Sequence, residues 1–239
     1  MYSYTLNMDR KAIAISADLR FGVAVPDGGD APPVRAGLST AEFSMVAWRR
    51  LGDAWPCDLS LRLGGAFVDP QAQRGDYVRA LSECRILAEV LLARGRLSAL
   101  LLEFPPSFSY QAVERRHLDR ILGDLGGLPL ATAFLNGEWY SSRVIEGLKK
   151  RGVALCLLDL PSCESVPPRV DIATASLVYM KCVAGQGPVA WISRLEAASA
   201  LAESVRVIFE AESVIKAAKA AEALSLLWAA RRRVGTKAP

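Results

Sequence analysis

The strongest constraint in this chain is an alternation. From Asp58 onward, short apolar runs are separated by longer segments whose apolar residues recur at three- and four-residue spacing. Ser98–Phe104 (Ser-Ala-Leu-Leu-Leu-Glu-Phe) is a nearly continuous apolar run, the pattern of a strand buried on both faces. Asp58–Leu63 alternates with period two, and Leu128–Leu135, Val153–Asp159, Leu177–Val183 and Ser204–Ala211 have similar character. Helical patterns fall at Asp76–Arg94, Gln111–Leu125, Glu138–Arg151 and Val189–Ala202, with a last one at Ser213–Arg233. Val144, Ile145 and Leu148 illustrate the spacing. Gly95 and Gly152 follow two of these segments as helix-stopping glycines. Such units bury both faces of their strands by pairing them in parallel beneath a helical layer.

Two upstream runs, Lys11–Ser16 and Thr40–Met45, bring the strand count to eight, the number at which a parallel sheet closes into a barrel. The expected fold is therefore α/β, a single (β/α)8 TIM barrel over residues 1–239, irregular at its N-terminal end. Residues 17–39 fit poorly: Phe21–Val25 offers an extra strand and Pro26–Gly37 a loop. Residues 234–239 form a basic tail.

Composition agrees. The chain has 239 residues, 51% hydrophobic and 23% charged, which suits one large core and excludes wholesale disorder. No apolar stretch approaches the ~18 uncharged residues of a membrane span. Met1–Tyr4 reaches Asp9-Arg10-Lys11 before any apolar run, so no signal-peptide core is read. A cytoplasmic protein without a membrane partner is expected.

The five cysteines (Cys57, Cys84, Cys156, Cys163, Cys182) lack CxxC spacing, and Cys156 and Cys182 sit in apolar runs as small hydrophobes. His117 is the only histidine, which excludes centres built on several imidazoles and any triad in which His117 is not the base. No metal and no cofactor are expected. Lying in the charged stretch Glu114–Asp119, His117 reads as a solvated surface residue. A net charge of +4 and a pI near 8.9 permit nucleic-acid contact without requiring it. Arg231–Arg233 closes a helix, where cations complement the dipole.

One segment carries a family signature. Leu100-Leu-Leu-Glu-Phe-Pro-Pro-Ser-Phe108 resembles the "LLFQLPPSF" motif of the YecE-like family, catalogued as domain of unknown function seventy-two. Val144–Pro161 resembles that family's "LLRERGVALVIADSP" region, Leu177–Lys181 its "FVYVR" strand and Val205–Glu210 its "VYVYFNN" strand; Trp139 stands where the family has a tryptophan. The resemblance runs from about Thr40 to Trp228 and implies a TIM barrel whose biochemical function is not established. The departures are informative. The family's "EFRH" reads Ala133-Phe134-Leu135-Asn136 here, and "VRLHG" reads Met180-Lys181-Cys182-Val183-Ala184. Lysine in place of arginine gives up the bidentate fork, and two proton-transfer histidines are replaced. The chain reads as a divergent member.

In this fold the functional rim lies at the C-terminal strand ends, which here carry Glu42, Arg62, Glu103, Asn136, Asp159, Lys181 and Glu210. The candidate ligand-binding residues are Arg62, Glu103, Trp139, Asp159 and Lys181. Arg62 and Lys181 offer charge to a small anionic molecule, Trp139 a stacking face, and the acids orient hydroxyls or accept a proton. The competing reading is a salt-bridge lattice that neutralises the mouth. Gly64-Gly65 and Gly185–Pro188 read as turns, and Trp48, Trp55, Trp139 and Tyr140 as a stacking surface or as lids over the core. No catalytic residue is assigned. The functional expectation is a ligand-binding or non-catalytic barrel. The alternatives are an enzyme acting on a phosphorylated or sugar-like small molecule and, by fold analogy, a nucleic-acid-processing barrel.

Overall fold

The computed structural model describes residues 18–27, 38–51, 57–159, 167–183 and 189–235. Among them, nine strand segments form one parallel sheet. These are β1 (Asp18–Val25), β2 (Thr40–Ser44), β3 (Asp58–Leu63), β4 (Leu97–Phe104), β5 (Leu130–Phe134), β6 (Ala154–Leu155), β7 (Leu157–Asp159), β8 (Leu177–Val183) and β9 (Ser204–Glu210). The pairing order is β6-β5-β4-β3-β2-β1-β9-β8-β7. The two ends of that order, β6 and β7, are halves of the single run expected at Val153–Asp159. Its first half pairs with β5 and its second with β8, so the sheet bends round until its ends meet at Cys156. The Cys156 amide donates to the Thr132 carbonyl at 2.7 Å and keeps the seam tied to β5. This is the TIM-like barrel that the strand–helix alternation implies, with eight staves.

The N-terminal stave differs from the expectation. Asp18–Val25 pairs with both β2 and β9, so Phe21–Val25, the expected extra strand, is part of a longer strand that fills the first barrel position. Lys11–Ser16 lies outside the described residues. Gly22 explains why β1 tolerates its tight register: a Cβ there would lie 2.2 Å from the Thr40 carbonyl oxygen, a separation no side chain survives.

The helices are α1 (Met45–Leu51), α2 (Arg74–Ala93), α3 (Ala112–Asp124), α4 (Ser142–Arg151), α5 (Val189–Leu201) and α6 (Val214–Gly235). The helix expected from Glu138 begins later, because Gly137–Trp139 forms a 3-10 turn and Ser141 caps α4 by accepting from the Val144 amide. Gly152 ends α4 at φ 64°, the left-handed conformation that favours glycine.

Strand alternation divides the interior in two. Outward residues such as Phe21, Val23, Leu61, Leu100, Leu102, Phe134 and Val207 meet the helices in the main core. Inward residues form a separate thin belt of Ala99, Leu101, Ala131, Ala133, Ala154, Cys156, Tyr179 and Ile208. Alanines dominate that belt, leaving the polar inward residues to lie above and below it. His117, expected at the surface, is 3% exposed. Its Nε2 donates to the Phe67 carbonyl at 3.0 Å and its ring meets Tyr77 and Phe108. The charged neighbours in sequence point away from the barrel while His117, on the helix's inner stripe with Leu118 and Ile121, points toward it.

Candidate site at the barrel mouth

At the C-terminal end of the barrel, inward positions of five staves converge. β2 contributes Glu42, β3 Arg62, β4 Glu103, β8 Lys181 and β9 Glu210. Lys181 sits at the centre, 4% exposed. Its Nζ donates to Glu103 and lies 3.5 Å from Glu42 Oε1 and 3.4 Å from Glu210 Oε2. Arg62 Nη1 lies 3.6 Å from Glu42 Oε1 and 4.0 Å from Glu210 Oε1. Beneath them the Tyr179 hydroxyl donates to Glu42 Oε2 at 2.9 Å.

The electrostatics follow from depth. Burial alone would lower the Lys181 pKa, yet the carboxylates of Glu42, Glu103 and Glu210 outweigh it and hold the ammonium charged far above the usual lysine range. Arg62 is governed in the same way, burial being overcome by Glu42, Glu103, Glu210 and Asp27. Burial, reinforced by Glu42, raises the Tyr179 phenol, which therefore stays a neutral donor. Glu42 is 1% exposed, whereas Glu103 is 25% exposed and Arg62 26%. The layer thus has a sealed floor (Glu42, Lys181, Tyr179) and a solvent-facing upper tier (Arg62, Glu103, Glu210).

Two of the five residues singled out from the sequence lie elsewhere. Asp159 is on the outward face of its stave, since Leu158 takes the inward position. It accepts from Trp191 Nε1 and pairs with Arg194 at 3.2 Å and Arg169 at 3.4 Å, tying β7 to α5. Trp139 is 1% exposed. It stacks on Phe134 and Phe108 with centroids 4.8 and 5.2 Å apart, and its Nε1 donates to the Phe108 carbonyl at 2.7 Å. That places it in the wall under the Pro105-Pro106 loop, and no face is left for stacking a ligand. Trp48 packs edge-on against Phe43, and Trp55 lies outside the described residues. Gly64-Gly65 leads into a 3-10 turn; Gly185–Pro188 lies outside the described residues.

Tyr179 was missed, although alternation back from Lys181 puts it on the same inward face. The opposite end of the barrel was missed as well. There Arg206 pairs with Asp18 at 3.0 Å and Asp58 at 3.3 Å, donates to Ser98 at 2.9 Å, and Arg20 pairs with Asp58 at 3.4 Å. Among the described residues, no group of three or more His, Cys, Asp or Glu side chains is arranged to hold a metal ion, and no helix is long and apolar enough to cross a membrane.

A closed parallel barrel with helices outside and a polar mouth defines the class. The family model described as "Protein of unknown function DUF72" matches residues 69–239. The chain belongs to the DUF72 family. Solved structures of family members share its fold. A DUF72 family protein from Enterococcus faecalis V583 is 17% identical, with a TM-score of 0.74 over 88% of this chain and 97% of that one. A DUF72 family protein from Thermotoga maritima MSB8 is 17% identical, with a TM-score of 0.68 over 80% of this chain and 85% of that one. No curated protein matches the chain.

Proposed function

We propose that this chain is a non-catalytic, ligand-binding barrel that takes a small hydroxyl-rich molecule of the sugar or polyol class at its C-terminal mouth. The observation that carries the reading is an imbalance. Among the described residues, the ion pairs of the lower layer set two acids (Asp18, Asp58) against two arginines (Arg20, Arg206). Among the described residues, the ion pairs of the mouth set three carboxylates (Glu42, Glu103, Glu210) against Lys181 and Arg62, and Asp27 is a further acid acting on Arg62, so acids outnumber bases. Lys181, with three carboxylate partners, has little charge to offer an anion, so the surplus acid favours a neutral partner. Carboxylates of the upper tier accept from vicinal hydroxyls while Arg62 donates.

Calorimetric titration of the full chain with a panel of neutral sugars and polyols, and with their phosphate esters, tests this. A neutral compound binds wild type, and Glu103→Gln or Arg62→Gln weakens it roughly tenfold, the loss of one charge-assisted hydrogen bond. Binding of phosphate esters alone, turnover of any compound, or no binding across the panel overturns the reading.

A further inference from the structure

On the outer wall, α3 and α4 flank a trench. The two helices are joined by the ion pair between Arg151 of α4 and Asp119 of α3, and together they line a groove of about 690 Å³. Its floor is apolar, formed by Leu118, Leu122, Val144 and Leu148. Gly147 lies on the α4 wall, and a Cβ there would meet nothing within 4 Å. The absent side chain leaves open space, a slot on the α4 side of the groove.

The lips are basic. Arg115 and Arg116 stand on α3, and Arg143, Lys150 and Arg151 on α4, against the single acid Asp119. Asp119 is already paired with Arg151 at 2.7 Å. Arg115 lies over the Tyr110 ring at 5.0 Å, and Arg116 Nε donates to the Ala112 carbonyl at 3.1 Å. Neither contact cancels charge. Arg143 and Lys150 have no ion-pair partner among the described residues. Five cations less one acid leave the lining with four uncompensated positive charges.

We infer that this groove docks an acidic amphipathic helix of a partner protein. Its apolar stripe would seat over Gly147 and the leucine floor, and its carboxylates would meet the two basic lips. A trench between two helices with an apolar floor is the geometry of helix-in-groove recognition, and the charge of the lips sets the sign of the partner. A nucleic-acid backbone would use the lips but leave the floor and the Gly147 slot empty. The site is on the outer wall and is independent of the mouth.

Fluorescence anisotropy on the full chain tests it in ~0.1 M salt, where charges beyond about 10 Å are screened. The probe is a fluorescein-labelled peptide of about four helical turns, with leucine at i, i+3, i+4 and i+7 and glutamate elsewhere. A lysine-for-glutamate copy, a labelled single-stranded RNA and a labelled DNA duplex are the other arms. The acidic peptide binds saturably and the lysine copy does not. The Arg143→Ser/Lys150→Ser variant weakens binding about tenfold, the sum of a few exposed charge contacts. Gly147→Leu, which fills the slot, weakens it at least as much while the melting temperature holds. Absence of peptide binding, oligonucleotide binding in its place, or peptide binding that Gly147→Leu leaves unchanged overturns the inference.

Discussion

Lys181→Ala is the sharpest probe of how the mouth is held together. The substitution removes the ammonium shared by Glu42, Glu103 and Glu210. Glu103 and Glu210 reach solvent and can rehydrate, so their loss is small. Glu42 cannot: it is 1% exposed and keeps only Arg62 at 3.6 Å and the Tyr179 hydroxyl. Removing one partner of a buried pair costs about 3–5 kcal/mol, and the retained arginine and tyrosine put this case at the lower end, about 3 kcal/mol. For a domain of this size each kcal/mol moves the melting temperature by about 2–4 °C, so a fall of roughly 6–12 °C is expected. The cause is the stranded carboxylate, so adding Glu42→Gln to the variant restores roughly half of the loss, a coupling within the usual range for contacting groups. Thermal and urea unfolding of wild type, both single variants and the double variant measure the cycle. A Lys181→Ala loss below about 1 kcal/mol, or a double variant no more stable than Lys181→Ala, refutes the argument that Glu42 depends on this lysine.

Two further outcomes are expected. Gly22→Ala forces a Cβ to within 2.2 Å of the Thr40 carbonyl oxygen and lowers stability by about 3 kcal/mol or more, read as a reduced urea midpoint with an unchanged m value; a wild-type midpoint would show that β1 shifts freely against β2. Burial depresses the His117 pKa below its ordinary 6.5, the Phe67 contact opposing, so the unfolded chain takes the proton first and stability falls as pH drops below about 6.5. His117→Gln removes that part of the slope between roughly pH 7.5 and 5.5, and an identical slope in the variant would place the proton uptake elsewhere.

Much of the barrel is readable from local pattern because strand and helix periods are local properties. Ser98–Phe104 and Leu177–Val183 announce themselves as apolar runs, and their observed bounds, Leu97–Phe104 and Leu177–Val183, differ by at most one residue. β1 is harder. Asp18-Leu-Arg-Phe-Gly-Val-Ala-Val25 carries two charges and a glycine, and its claim to the first stave rests on pairing with β9, some 186 residues away along the chain (204 − 18). No local signal encodes that partnership. The His117 miss has a related cause: five of the six residues of Glu114–Asp119 are polar or charged, but what decides burial is the single inner stripe of α3.

The candidate site divides along the same line. Arg62, Glu103 and Lys181 each stand at a strand end, and the structure brings all three together with Glu42 and Glu210. Asp159 also stands at a strand end, yet one position of pleat separates it from the mouth: Leu158 faces in and Asp159 faces α5. A strand end fixes height along the barrel and alternation fixes the face, so a rim assignment needs both. Counting back from Leu158 through Cys156 and Ala154 gives the inward set correctly and excludes Asp159 without any structure. Depth likewise divides the residues of the mouth. Glu42, Lys181 and Tyr179 seal the alanine-lined belt below and answer to stability. Arg62, Glu103 and Glu210 stand above the seal, where solvent reaches them.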